Sequence, residues 1–147
     1  MDAGDAVPDF ELPDQNGVPH RLSTLLKDGP VVLFFYPAAM TAGCTAETCH
    51  FRDLGAEFAA AGAQRIGISP DTVDKQQQFA QKHSFDFPLL ADSDRRVAET
   101  FGVKRSRFSP VKRSTFVIGA DQKVRAVIHS EFSMNKHADE ALAVLAS

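Results

Sequence analysis

Cysteine is scarce in this 147-residue chain, long apolar runs are missing, and basic charge is not in surplus. No apolar stretch approaches the ~20 residues that a helix needs to cross a bilayer. Lys and Arg total 16 against 19 Asp and Glu, a net charge of −3, so nothing here attracts nucleic acid or an anionic membrane. The opening Met1-Asp2-Ala3-Gly4-Asp5 has neither the basic region nor the apolar core of a secretory signal, which points to the cytoplasm. Two cysteines cannot make the disulfide framework of a small secreted protein. In a reducing compartment a pair that does bond is more often transient and catalytic. His20, His50, His83, His129 and His137 show no ligand spacing with the cysteines, so neither a metal nor a cofactor is expected.

What is present reads as a soluble globular chain, with 44% hydrophobic residues and mixed charge. The length suits a single domain over 1–147, large enough for a core without staples. Asp14-Gln15-Asn16-Gly17 is a turn signal between Phe10-Glu11-Leu12 and His20-Arg21-Leu22, which predicts an N-terminal hairpin. Ser23 is the expected cap of a short helical turn through Leu25 and Leu26, stopped at Gly29-Pro30. Val31 to Tyr36 is apolar at every position, the pattern of a strand covered on both faces. A helix after Thr41 is expected to run to about Gly62, then a strand over Arg65 to Ser69 and a helix from Asp71 to His83. A short strand over Phe87 to Leu90 precedes a helix from Ser93 to Phe101 that ends at Gly102. A basic loop from Lys104 to Arg113 leads into strands at Ser114–Ile118 and Val124–Ile128, joined as a hairpin. A last helix from about Asn135 sets Ala138, Ala141, Leu142 and Leu145 on one face. Strands alternating with helices predict an α/β fold, a central mixed sheet covered on both faces.

Both cysteines fall in Pro37-Ala38-Ala39-Met40-Thr41-Ala42-Gly43-Cys44-Thr45-Ala46-Glu47-Thr48-Cys49. If Thr41 is the N-cap, Cys44 stands at N3, where a backbone N–H lacks a helical partner. Those N–H groups and the positive end of the helix dipole favour a thiolate, the nucleophilic form of cysteine. Cys44 lies in line with Thr48, Phe51 and Phe58; Cys49 lies about 140° around the helix, with Asp53, Ala56 and Ala60. In an intact helix the two Cα atoms stand roughly 8 to 9 Å apart, beyond the ~7 Å limit for a disulfide. A bond between them therefore requires at least one turn to unwind. By themselves the residues leave a buried, inert reading of each cysteine open beside the reactive one.

Pro37-x-x-x-Thr41-x-x-Cys44 resembles the active-site signature of the peroxiredoxins, the thiol peroxidases. Cys49 five residues later is similar to the bacterioferritin comigratory protein, or Q-type, subgroup. The resemblance runs over nearly the whole chain, through Ala3 to Gly17, Ile66-Gly67-Ile68-Ser69, Phe87 to Asp92 and Arg113 to Ile118. It implies a thioredoxin-like fold with additions at the N-terminus and in the middle. It also implies reduction of hydrogen peroxide and organic hydroperoxides by Cys44 through a sulfenic acid. Cys49 is then the resolving cysteine, forming an intramolecular disulfide that a thioredoxin-type dithiol reduces.

Thr41, one turn back, can place a hydroxyl beside the sulfur and peroxide. Arg113, immediately before a strand, matches the family's active-site arginine, whose planar fork can donate to two oxygens. Glu47 matches the glutamate that steadies it, although a first-turn Glu complementing the helix dipole reads equally well. Pro37 either shields the pocket or simply ends its strand. Lys104, Arg105, Arg107 and Lys112 are expected to be solvated loop charges. The subgroup includes monomers and dimers, so a monomer or weak homodimer is expected.

Two departures stand out: Ala42 where the subgroup often has proline, and no late glycine in Gly119 to Lys123. A general disulfide oxidoreductase is the nearest rival, but it wants Cys-x-x-Cys, with both sulfurs at one helix start. A non-enzymatic redox sensor would share the pair without efficient turnover, and a purely structural domain would be indifferent to Cys44→Ser.

Overall fold

The computed structural model describes residues 1–105 and 111–146. The N-terminal hairpin joins β1 (Glu11–Pro13) to β2 (Pro19–Arg21) in antiparallel register, with Leu12 opposite His20. Its turn is held by Asp14, whose carboxylate accepts from Asn16 N at 2.8 Å and Val18 N at 3.0 Å. The chain continues through α1 (Leu22–Leu25), β3 (Val31–Phe35), α2 (Ala42–Asp53), α3 (Gly55–Ala60) and β4 (Gln64–Ser69). It then forms α4 (Val73–His83), β5 (Leu89–Ala91), α5 (Arg96–Thr100), β6 (Ser114–Ile118), β7 (Val124–His129) and α6 (Met134–Ala146).

The main sheet has the order β5-β4-β3-β6-β7. Strands β3, β4 and β5 run parallel, whereas β6 is antiparallel to β3 and β7 is antiparallel to β6. β3 is the middle strand and is buried at every position, as its unbroken apolar run requires. Side chains alternate across a strand, so this run feeds two cores. Val31, Leu33 and Phe35 join Leu22, Val97 and Phe101 on one face; Val32, Phe34 and Tyr36 join Cys44, Phe51, Phe58 and Phe79 on the other. Phe34 stacks on Phe51 of α2 at 4.0 Å between ring centroids, which fixes α2 against the sheet. Gly67 of β4 makes that layer possible: a Cβ there would come 2.8 Å from Leu89 and 3.0 Å from Phe34. No helix among the described residues is long and apolar enough to cross a membrane.

Several element limits differ from the sequence expectation. The expected single helix from Thr41 to Gly62 is broken at Leu54. Arg65 of β4 donates to Phe51 O at 3.0 Å and Arg52 O at 3.4 Å, occupying carbonyls that a continuous helix would use itself. Gly55 leaves room for that guanidinium, since a Cβ would lie 3.3 Å from both of its terminal nitrogens. Ser23 does not cap α1: the helix begins at Leu22, and both Ser23 N and Ser23 Oγ donate to Asp9, at 2.9 and 2.8 Å. α4 begins after Thr72, whose hydroxyl accepts from Lys75 N, because Asp71 is engaged elsewhere. The strand expected over Phe87–Leu90 starts two residues later, at Leu89, and the helix expected from Ser93 starts at Arg96. Of the basic loop, Lys104 bridges Val111 and pairs with Glu99, while Arg105 is not a solvated charge but bonds Glu131 at 3.2 Å. Arg107 lies outside the described residues.

Candidate active site

Thr41 has an extended backbone (φ −82°, ψ 156°) and its carbonyl accepts from Thr45 N at 2.9 Å, so it is the N-cap of α2 and Cys44 is N3. Ala42, Gly43 and Cys44 thus turn N–H groups without helical partners toward the start of the helix. The Thr41 side chain does not cap. Its hydroxyl donates to Ala38 O at 2.8 Å, which tightens the turn after Pro37 and leaves its lone pairs able to accept. Pro37 is half-buried in the bend just past β3. Asp71 secures the same turn from the segment just past β4: it accepts from Ala39 N and Ser69 Oγ, both at 2.6 Å. Met40, at the tip, is exposed with φ 69°.

Cys44 is 1% exposed, and its sulfur accepts from Arg113 Nη2 at 3.3 Å. Arg113 reaches it from just ahead of β6 and passes over Gly43, where a Cβ would meet Nη2 at 3.3 Å. The other terminal nitrogen, Nη1, donates to Glu47 Oε1 at 2.9 Å. One guanidinium therefore bridges sulfur and carboxylate, the use for which a planar fork is suited. Glu47 is fully buried, so it is no solvated first-turn acid. Burial pushes its carboxyl up to about 8, against the downward pull of Arg113. Burial acts against the charge of Arg113 too, but Glu47 and Cys44 outweigh it and hold the guanidinium firmly cationic.

Sequence reasoning missed a further layer behind these residues. Glu131 accepts from Arg113 N at 3.1 Å and Arg105 Nη2 at 3.2 Å, and so fixes the backbone from which Arg113 departs. His137 of α6 is fully buried with Nε2 3.6 Å from Glu47 Oε2. A histidine on the buried face of α6, four residues before Ala141, was the available signal; Glu131, in an irregular segment, had none.

Cys49, on the next turn of α2, is a free thiol like Cys44, only partly buried against the core. Burial pushes its thiol up, so it ionises more easily once α2 opens. Because α2 is continuous from Ala42 to Asp53, the two Cα atoms keep the helical separation of roughly 8 to 9 Å.

A thioredoxin-like sheet with a buried thiol at a helix start, bonded by an arginine, defines a cysteine-based thiol redox enzyme. The sequence pattern of the AhpC/TSA family matches residues 3–127. The crystal structure of peroxidoxin BcpB from Mycobacterium tuberculosis superposes with a TM-score of 0.96 at 63% identity, over 99% of this chain and 97% of that one. Chloroplastic peroxiredoxin Q of Sedum lineare is 40% identical over 145 residues, 98% of this chain and 77% of that protein. A structure of Xanthomonas campestris peroxiredoxin Q aligns with a TM-score of 0.85 at 31% identity, over 93% and 89% of the two chains. The chain belongs to the AhpC/TSA family and is a peroxiredoxin, similar to the Q-type members. It is a thiol-dependent peroxidase, acting on a hydroperoxide with electrons from a thiol reductant.

Proposed function

We propose that Cys44 is the peroxidatic cysteine and Cys49 the resolving one, in a single domain spanning 1–147. The 3.3 Å bond from Arg113 Nη2 to Cys44 Sγ carries this reading. The Cys44 thiolate attacks one oxygen of the hydroperoxide, forming S–O as O–O breaks; the second oxygen leaves as alkoxide or hydroxide and takes a proton. Cys44 is left as the sulfenic acid. Arg113 offers a donor to the departing oxygen, and Thr41 can accept from the peroxide proton while unpaired N–H groups at the helix start face the same space. Glu47 holds the guanidinium, and Pro37 shapes the turn that carries Thr41.

Unwinding of α2 then brings Cys49 to Cys44. The Cys49 sulfur attacks the sulfenic sulfur, S–S forms, and water leaves. An external dithiol of the thioredoxin class reduces the disulfide, with hydrogen peroxide and organic hydroperoxides as substrates. The cytoplasm supplies such a dithiol, and a monomer or weak homodimer suffices because both cysteines are on one chain.

The test is rapid mixing of reduced protein with one equivalent of hydrogen peroxide, reading intact mass and free thiols at early times. Fast loss of both thiols, abolished by Cys44→Ser and halted at the sulfenic acid by Cys49→Ser, is expected. Thiols that survive as long as free cysteine would overturn the assignment, and fast oxidation without turnover on thioredoxin and its reductase would favour a redox sensor.

A further inference from the structure

His137 lies behind the guanidinium–carboxylate pair, and no step above uses it. Its Nδ1 is 2.8 Å from Thr115 Oγ1 and its Nε2 is 2.9 Å from Ser130 O. A carbonyl oxygen only accepts, so Nε2 carries a hydrogen. The Thr115 hydroxyl can donate to a bare Nδ1 or accept from a protonated one, so the ring keeps both bonds whether neutral or cationic. Glu47 Oε2 lies 3.6 Å from the same Nε2. Unlike its twin, which accepts from Arg113, Oε2 is buried without a hydrogen-bond partner among the described residues. Both side chains are fully closed to solvent. A lone carboxylate oxygen in such a place is costly unless a proton comes to it or a cation faces it.

We propose that Glu47 and His137 hold one titrating proton between them, on Glu47 Oε2 or on His137 Nδ1, which keeps the pair neutral and leaves Arg113 to balance the charge on Cys44. His137 is then a positioning residue for the peroxidase step, and this consequence rests on the reading of Cys44 as the attacking thiolate. With the proton on Glu47, both groups are neutral; with it on His137, carboxylate and imidazolium cancel. In either arrangement the buried cluster holds one cation, Arg113, and one anion, the thiolate. Loss of the shared proton adds a carboxylate that no cation balances, and Arg113 is divided between two anions. Burial lifts the Glu47 carboxyl and lowers the His137 imidazole, so the neutral arrangement is favoured.

The charges that set this titration come from every neighbouring element. Cys44 faces the pair's guanidinium from α2, and Arg113, ahead of β6, favours ionised Glu47 and neutral His137. His129, on β7, also favours the neutral imidazole, whereas Glu131 beyond it favours the protonated form of both groups. Because the proton has two homes, its departure is a property of the pair.

The proposal is tested on the full chain in two measurements. The first follows the His137 ring nitrogens by NMR through the neutral and alkaline range, in the parent and in Glu47→Gln. The second follows the rate of Cys44 oxidation by hydrogen peroxide over the same range, adding His137→Gln. A His137 shift that coincides with an alkaline fall in rate is expected, with both lost in Glu47→Gln. In His137→Gln one home of the proton is gone, so the fall moves to lower pH and the rate near the parent's midpoint drops by up to about 1.5-fold. A flat His137 signal, or a His137→Gln profile parallel to the parent's, would overturn the proposal. Should His137→Gln fail to fold, the NMR comparison of parent and Glu47→Gln decides alone. If the parent's Cys44 proves slow with peroxide while the His137 step persists, the peroxidatic assignment fails and the shared proton stands.

Discussion

Arg113 is the residue on which the site converges, because three separate groups determine where its side chain can lie. Glu131 anchors its backbone N–H at 3.1 Å, Glu47 takes one terminal nitrogen at 2.9 Å, and Gly43 leaves space for the other to reach Cys44. Lysine keeps the charge but has a single nitrogen at its tip, so it cannot bridge sulfur and carboxylate with fixed geometry. Arg113→Lys is therefore expected to slow Cys44 oxidation by about 100-fold, the usual cost of losing one preorganised donor. Stopped-flow or quenched-mass rates at saturating reductant check this. A loss within about threefold would mean that charge alone suffices and the fork does not matter. This residue was legible before the structure only through family resemblance, since nothing in composition separates it from 15 other basic residues.

At the scale of the element, α2 must be both a firm scaffold and a segment able to unwind, and its contacts divide along its length. The C-terminal end is anchored by Arg65 on Phe51 O, by Arg52 Nη1 on His83 O at 2.6 Å and by the Phe34–Phe51 stack. Nearer the start, Cys44 O takes an additional bond from Thr48 Oγ1 at 2.7 Å, within the helix itself. Unwinding is expected to stay upstream of Phe51. Arg65→Met should then cost about 1 to 3 kcal/mol, as charged hydrogen bonds to backbone do, and equally in the thiol and disulfide forms. Urea midpoints of the two forms measure it; a much smaller loss in the disulfide form would show that opening runs to the end of α2. A second outcome follows from the need to unwind at all. Without Cys49 the sulfenic acid waits, so Cys49→Ser should collect sulfinic acid at lower peroxide than the parent. Equal sulfinic acid in both across a peroxide titration would remove the resolving role. Local signals found α2's first turn, because a cap and an N3 cysteine are set by adjacent residues. They missed its end, because Arg65 acts from 14 residues beyond Phe51, and they misplaced the cap of α1 for the same reason, Asp9 being 14 residues before Ser23.

For the whole molecule, the central strand β3 was readable because burial on both faces leaves an unbroken apolar run, while the inner half of the site was not. Glu47 and His137 meet only because α2 and α6 cover the same face of the sheet. The burial of Glu47 there has a thermodynamic consequence for folding itself. In the unfolded chain Glu47 has its ordinary value of 4.5, but burial lifts it to about 8 in the fold. Between those values the folded state binds the proton more strongly, so unfolding releases it and stability falls as pH rises. The contribution is fully present below 4.5 and is lost by about pH 8. Glu47→Gln, which keeps the shape and the acceptor for Arg113 without the titration, should flatten this slope. Urea midpoints taken at both ends of the window, in parent and variant, give the comparison. Parallel pH dependences would mean that Glu47 stays ionised through the window, held by Arg113, and that the carboxylate and the thiolate compete for one cation at neutral pH. A flattened slope places the proton inside the fold, where it also frees Arg113 for the sulfur.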